Sequence, residues 1–81
     1  MGMKNLADLP NGAEGRVAAV TGEPRLRERL VELGFTPGTL VRVRGRALLG
    51  GPMQVKLRGG ILAVRGDEAA CVLMAPAGGA A

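Results

Sequence analysis

The chain has 81 residues with a formal net charge of +4, one cysteine, one phenylalanine, and no histidine, tyrosine or tryptophan. This length allows one small domain, and a lone cysteine excludes an internal disulfide framework. Without histidine the chain lacks the residue type most often used at zinc and haem sites. The positive charge rests mostly on arginine, which favours contact with an anionic partner but does not identify it.

The amino-terminal region has no apolar stretch as long as a signal peptide, and no segment approaches the roughly twenty apolar residues of a membrane-spanning helix. The single cysteine fits a reducing compartment. A cytoplasmic location is therefore expected.

The first predicted strand comprises residues 16–20, after a turn at Pro10-Asn11-Gly12. Pro24 then suits the first turn of a helix, and an apolar face follows at i, i+4 and i+7. The residues of that face are Leu26, Leu30 and Leu33. Gly34 predicts the end of the helix. We expect the three leucines to pack together over one end of a β-barrel.

The next two predicted strands, residues 40–44 and 53–58, alternate apolar with basic or polar residues. A period of two places the apolar residues on the core face and the cations on the other face. Because these strands are expected neighbours, their cations would form one basic stripe. This stripe is the candidate partner-binding surface, with a solvated face as the alternative: Arg42, Arg44, Arg46, Lys56 and Arg58.

The remaining elements follow from turn residues. A loop is expected at residues 47–51, and Gly59-Gly60 predicts a hairpin turn into a fourth strand at residues 61–65. Residues 66–69 have the length of one 3₁₀ turn before a fifth strand at residues 70–74, which would hold Cys71 as a small core residue or an inert thiol. We predict a domain at residues 1–75 and a flexible tail at residues 76–81.

Together these elements predict a mainly-β fold. Five short strands, one short α-helix after the first of them and a turn before the last are typical of a small SH3-like barrel. Barrels of this kind bind partners more often than they catalyse reactions.

Catalysis finds no support in the sequence. The chain has no nucleophile beside a base and no Walker-type phosphate loop, and the neighbouring acids Asp67 and Glu68 are interpreted as turn residues. Its four methionines are scattered, and we interpret Met53 and Met74 as core residues rather than soft metal ligands. The sequence therefore predicts no enzyme, no catalytic residue, no metal ligand and no cofactor.

The run at residues 29–38, Arg-Leu-x-x-Leu-Gly-Phe-x-Pro-Gly, carries a family resemblance. Further positions agree with it before and after this run, including Leu6, Leu9, Gly12 and Gly15, then Val41, Val43, Pro52, Val64 and Glu68. Over about residues 3–74 the chain resembles the ferrous iron transport protein A (FeoA) family. It departs from the family at Leu49-Gly50-Gly51-Pro52, where Leu-Gly-Asp-Pro is usual, and at Leu48, where proline is common.

The resemblance implies an SH3-like cytosolic accessory protein of bacterial ferrous iron uptake. Its partner would be a membrane ferrous iron transporter with a cytosolic G-protein domain, so the chain would be peripheral to the membrane through that partner. The same unit resembles the C-terminal SH3-like domain of iron- and manganese-dependent repressors, here without a helix-turn-helix.

Two hypotheses of different classes remain. The favoured one is a protein-binding module that docks on the transporter and regulates or assembles it. The alternative is a small nucleic-acid-binding barrel that uses the arginines against phosphates. Phe35 alone cannot build a platform for stacking bases, so nucleic acid is not favoured. Short edge strands would also permit a homodimer.

Overall fold

The structure is a computed structural model that describes residues 4–47 and 51–76. Within these ranges the chain forms six strands, two short α-helices and a 3₁₀ helix at Leu6–Asp8. The strands are β1 (Lys4–Asn5), β2 (Glu14–Val20), β3 (Leu40–Arg46), β4 (Met53–Leu57), β5 (Gly60–Val64) and β6 (Val72–Pro76). The helices are α1 (Pro24–Glu32) and α2 (Gly66–Ala69).

All six strands belong to one antiparallel sheet in the order β1-β6-β2-β3-β4-β5. The mainly-β class is confirmed. The predicted five-stranded barrel is corrected to a six-stranded open sheet whose edges, among the described residues, are β1 and β5. β1 escaped prediction because two residues cannot show an alternating pattern. Since β1 comes first, α1 follows the second strand rather than the first.

The core lies on the inner face of this sheet, where α1, α2 and the 3₁₀ helix pack against it. The alternation predicted for β3 and β4 is confirmed, because every second residue is buried, as far as Val43 in β3, and the residues between them, the apolar Leu40 included, are exposed or half-buried. The buried residues of the two strands are Val41, Val43, Met53, Val55 and Leu57. The buried apolar residues are Leu6, Val17, Leu30, Phe35, Val41, Val43, Met53, Val55, Leu57, Val64, Ala69, Val72 and Met74.

The end of α1 is a Schellman motif, in which the two residues after the helix donate back to its last carbonyls. The N–H of Phe35 donates to the carbonyl oxygen of Leu30 (3.1 Å), and the N–H of Gly34 donates to that of Val31 (3.0 Å). Gly34 has a φ of 119°, a left-handed conformation that favours glycine. Leu30 and Phe35 are both fully buried, which is the apolar contact that accompanies this motif.

The three leucines predicted to share the buried face of α1 have different environments. Leu30 is fully buried and Leu26 packs against the edge of the core, but Leu33 is 43% exposed. Leu33 is the C-cap residue, where the chain turns away from the helix axis, and Phe35 enters the core instead. The prediction was therefore correct for Leu30, partly correct for Leu26 and wrong for Leu33.

The segment before β6 is one turn of α-helix rather than a 3₁₀ turn. The N–H of Ala70 donates to the carbonyl oxygen of Gly66, four residues earlier (3.0 Å). This helix and its C-terminal turn extend through Cys71, so β6 begins at Val72, two residues later than predicted. Cys71 consequently lies in the turn, half-buried, and not in the middle of a strand.

Glu68, which we interpreted as a turn residue, also holds the two α-helices together. Its Oε1 accepts a hydrogen bond from the N–H of Arg65 at the start of α2 (3.0 Å). Its other oxygen forms an ion pair with the guanidinium of Arg29 on α1. The Glu68 side chain is only 12% exposed, so this pair is partly shielded from water.

Two expectations fall partly outside the described residues. Of the predicted loop at 47–51, Ala47 and Gly51 are described, and the N–H of Ala47 donates to the carbonyl oxygen of Pro52 (3.0 Å). Of the predicted tail at 76–81 only Pro76 is described, as the last residue of β6.

Candidate functional site

Basic side chains of β3 and β4 line an open groove on the outer face of the sheet. Arg42 lies directly opposite Lys56 in the register of the two strands. The groove continues to the turn after β4, and its charged lining residues are Glu14, Arg42, Arg44, Lys56 and Arg58. The structure thus brings four of the five predicted basic residues to one surface, which we call the basic groove.

A bulge in β3 explains why the fifth residue is elsewhere. The register of β3 against β4 shifts between Val43 and Gly45, which leaves Arg44 as the extra residue. A bulge inserts one residue into the strand and breaks its alternation. Arg46 consequently lies opposite Met53, whose side chain is buried, instead of continuing the row begun by Arg42.

Arg46 contacts the amino-terminal segment instead of the basic groove. Its Nη2 donates to the carbonyl oxygens of Ala7 (2.6 Å) and Leu9 (2.7 Å), and its Nη1 donates to Oδ1 of Asn11 (3.2 Å). Ala7 lies in the 3₁₀ helix, and Leu9 lies directly after it, before β2. Arg46 therefore has a structural contact that the strand pattern did not predict.

The basic groove is strongly positive. Its four cationic side chains face one carboxylate, Glu14, so its lining carries a net charge of +3. Glu14 lies 3.8 Å from Arg42, and both side chains are well exposed, so this ion pair contributes little to stability and neutralises the groove only locally. Glu14 was missed because the first strand was predicted to begin at residue 16.

The hairpin that closes one end of the groove differs from the prediction. Its two turn residues are Arg58 and Gly59, with φ angles of 51° and 82°, and Gly60 already pairs with Leu57. Positive φ at both central positions defines a type I′ turn. β5 consequently comprises Gly60–Val64 instead of residues 61–65. Among the described residues Arg58 is the one non-glycine residue with a positive φ. This conformation of a groove cation costs free energy in the folded state.

Replacing Arg58 with asparagine should raise stability and weaken partner binding. Asparagine tolerates the left-handed region better than arginine, so we expect a gain of about 1 kcal/mol in the free energy of unfolding. The loss of a groove cation should lower affinity for an anionic partner. Arg58→Lys is the matched control: it should change neither quantity much. Chemical denaturation measures the change in stability, and a binding titration measures the change in affinity. If Arg58→Asn is less stable than the unaltered chain, the conformation of Arg58 is not strained.

The groove contains no aromatic side chain. Phe35, the one aromatic residue of the chain, is fully buried beneath α1. Proteins that bind single-stranded nucleic acid stack bases on exposed aromatic rings. The basic groove can therefore offer charge to an anionic partner but cannot offer a stacking surface.

Two further features concern metals and membranes. Within residues 4–47 and 51–76, no three histidine, cysteine, aspartate or glutamate residues lie close enough to hold a metal ion together. In the same ranges, no helix has the length and apolar character needed to cross a membrane.

Residues 4–76 match the family model described as FeoA domain. None of the curated proteins compared with the chain matches it. Among the solved structures that match, two FeoA proteins show the similarity in both sequence and fold.

The solution structure of a FeoA protein from Chlorobium tepidum is 32% identical, with a TM-score of 0.84, over 95% of this chain and 73% of that one. FeoA from Stenotrophomonas maltophilia, crystallised with zinc, is 30% identical, with a TM-score of 0.75, over 86% of this chain and 87% of that one. The latter is described as a prokaryotic SH3-domain protein and a candidate activating factor of ferrous iron transport.

A manganese-dependent transcriptional repressor in complex with manganese is similar in fold. Its TM-score is 0.84 at 18% identity, over 91% of this chain and 36% of the repressor. At this identity the similarity concerns the fold alone. The SH3-like architecture expected from the sequence is thus shared with both groups of proteins.

Proposed function

Because the chain belongs to the FeoA family, we propose that it is an accessory protein of bacterial ferrous iron uptake that docks on a membrane ferrous iron transporter. It acts in the cytoplasm and contacts the transporter's cytosolic region, which carries the G-protein domain. Docking regulates or assembles the transporter, and the chain itself performs no catalysis. The description of the Stenotrophomonas maltophilia relative as a candidate transport activating factor supports this role.

The observation that supports the basic groove as the docking site is that four cationic side chains line it. Arg42 and Lys56 are directly paired across two strands, and Arg44 extends the row at the bulge. Like charges placed side by side repel one another and add nothing to the fold. An acidic surface on the partner would relieve this repulsion and speed association.

Reversing the groove charge tests this proposal. In a variant with Arg42→Glu, Arg44→Glu and Lys56→Glu, we expect affinity for the purified cytosolic region of the transporter to fall at least about tenfold. Exposed substitutions of this kind should leave the fold intact. Arg27→Glu is the matched control, because it makes the same charge change at an exposed site of α1 outside the groove. Its affinity should stay within about twofold of that of the unaltered chain.

Two results would contradict the proposal. The docking proposal is wrong if the unaltered chain does not bind the cytosolic region in any nucleotide state and deletion of its gene leaves iron uptake unchanged. The groove fails as the docking site if the triple variant binds as well as the unaltered chain does. The exposed apolar residues at the end of α1, Val31 and the C-cap residue Leu33, would then become the next candidate surface.

Nucleic-acid binding is the second candidate, because the same four cations could neutralise phosphates. Such binding should weaken steeply with salt. On duplex DNA, the slope of the logarithm of affinity against the logarithm of salt concentration is about −0.9 for each phosphate neutralised. A titration of the chain with a short DNA duplex at two salt concentrations separates the candidates. Affinity that is absent or insensitive to salt removes this second candidate and leaves docking on a protein.

A further inference from the structure

β5 is an edge strand whose outer backbone groups have no partner strand among the described residues. The type I′ turn makes Leu57 and Gly60 a hydrogen-bonded pair, and such pairs alternate along an antiparallel ladder. Leu62 and Val64 therefore also bond to β4. The backbone N–H and C=O groups of Ile61 and Ala63 point away from β4, toward the open side of the sheet.

This edge lacks the features that usually keep edge strands from pairing. β5 has the sequence Gly-Ile-Leu-Ala-Val, with no charge and no proline, and its pairing with β4 has no register shift. Ile61 is 58% exposed, which is the highest value among the large exposed apolar residues that the structure describes. The opposite edge, β1, comprises two residues within the part of the chain that the structure describes. β5 is thus the edge that can accept another strand.

We infer that β5 accepts an extended segment of a protein partner, which adds a seventh strand to the sheet and carries acidic residues on its outward face. This inference rests on the proposed docking function and specifies how the partner binds. The backbone groups of Ile61 and Ala63 supply the new ladder of hydrogen bonds, as in other cases of strand addition.

The charges beside β5 select the acidic partner. Lys56 lies directly opposite Ile61 on the outer face, and Arg42 lies opposite Lys56 on the next strand. Since strands are about 4.8 Å apart, an outward side chain of the added strand lies roughly 10 Å from the Lys56 backbone. The long lysine side chain covers most of that distance, so an acidic side chain at this position can pair with it.

The same charges disfavour a second copy of the chain as the occupant. Two β5 strands paired edge to edge would place two basic grooves on one continuous sheet, where their cations repel. On the inner face, Leu62 is half-buried at the edge of the core. The added strand should therefore alternate acidic residues outward with apolar residues inward, beside Leu62.

Ala63→Pro tests the added ladder directly. Proline removes the outward N–H at this position but leaves the bonds of Leu62 and Val64 to β4 intact, and edge strands tolerate it. We expect its affinity for the transporter's cytosolic region to fall at least about tenfold, while the control Ala63→Ser, which keeps the N–H, stays within about twofold. Unfolding curves show whether the proline variant is folded.

A second pair of variants covers the case in which Ala63→Pro does not fold. Ile61→Glu places a negative charge where the acidic strand would lie and leaves the backbone unchanged, whereas Ile61→Gln is polar but neutral. We expect Ile61→Glu to bind at least about fivefold more weakly than Ile61→Gln. If the unaltered chain binds the transporter but the folded variants of both pairs bind equally well, strand addition is overturned and docking through the groove stands.

A peptide experiment decides the inference independently of the transporter. The probe is the synthetic heptapeptide Glu-Val-Glu-Val-Glu-Val-Glu, added to the full chain while amide hydrogen exchange is followed by NMR. In the free chain the amides of Ile61 and Ala63 should exchange much faster than that of Leu62. At millimolar peptide we expect their exchange to slow at least about threefold, with no slowing by the lysine analogue of the peptide. Unchanged exchange of both amides overturns the inference.

Discussion

Replacing Leu30 with alanine should lower the free energy of unfolding by about 2–5 kcal/mol. Leu30 is fully buried and contributes the core contact of the Schellman motif at the end of α1. Its truncation leaves a cavity under the helix that the surrounding sheet can fill only in part. Chemical denaturation of the purified variant measures the effect, and a chain of this size should also lose at least about 8 °C in melting temperature.

The next residue in the helix provides the control for this experiment. Val31 lies on the same helix and is 39% exposed. Val31→Ala removes apolar atoms from the solvent face and replaces a β-branched residue with the best helix former, so we expect stability to change by less than about 0.5 kcal/mol. Because alanine favours the helix at either position, equal losses from both variants would contradict the larger contribution expected from the burial of Leu30.

Replacing Gly34 with alanine should destabilise the chain by about 1–3 kcal/mol, because its φ of 119° disfavours any residue with a side chain. A side chain at this position would also be crowded by its neighbours. A Cβ at Gly34 would lie 3.1 Å from Cδ1 of Leu57 and 3.3 Å from Cδ of Arg58. The end of α1 thus supports the turn that carries a groove cation, and the variant should also weaken partner binding.

Gly38→Ala separates backbone strain from crowding. Gly38 has a φ of 92°, but a Cβ there would meet nothing within 4 Å. This variant should cost about 1 kcal/mol, less than Gly34→Ala, and should not disturb the turn after β4. If the two variants are equally destabilised in denaturation experiments, the contact between the end of α1 and the hairpin turn carries no energy.

The sequence predicted the parts of the fold that depend on local patterns. Alternation located β3 and β4 to within two residues, and Pro24 and Gly34 located the start and end of α1, because these signals come from backbone chemistry within one element. β1 and the burial of Phe35 in place of Leu33 depend on contacts with distant residues. No periodicity within either segment could have indicated them.

The candidate site shows the same division. Arg42 and Lys56 were predicted to be neighbours, and the register places them directly opposite each other. The position of Arg46 was not predictable, since one extra residue in β3 leaves no mark in the sequence beyond Gly45 itself. The edge of β5 was also missed, because the outward direction of its amides follows from which two residues form the turn.

The extra residue in β3 gives the arginines of this strand different roles. Three arginines occur at every second position, yet Arg42 and Arg44 line the basic groove whereas Arg46 donates hydrogen bonds to the segment before β2. If Arg44 were deleted, Val43, Gly45 and Arg46 could keep their present partners on β4 without a bulge, so Arg46 would keep its carbonyl partners and the groove would lose one cation. The extra residue in this strand therefore adds one cation to the groove without displacing the arginine that binds the segment before β2.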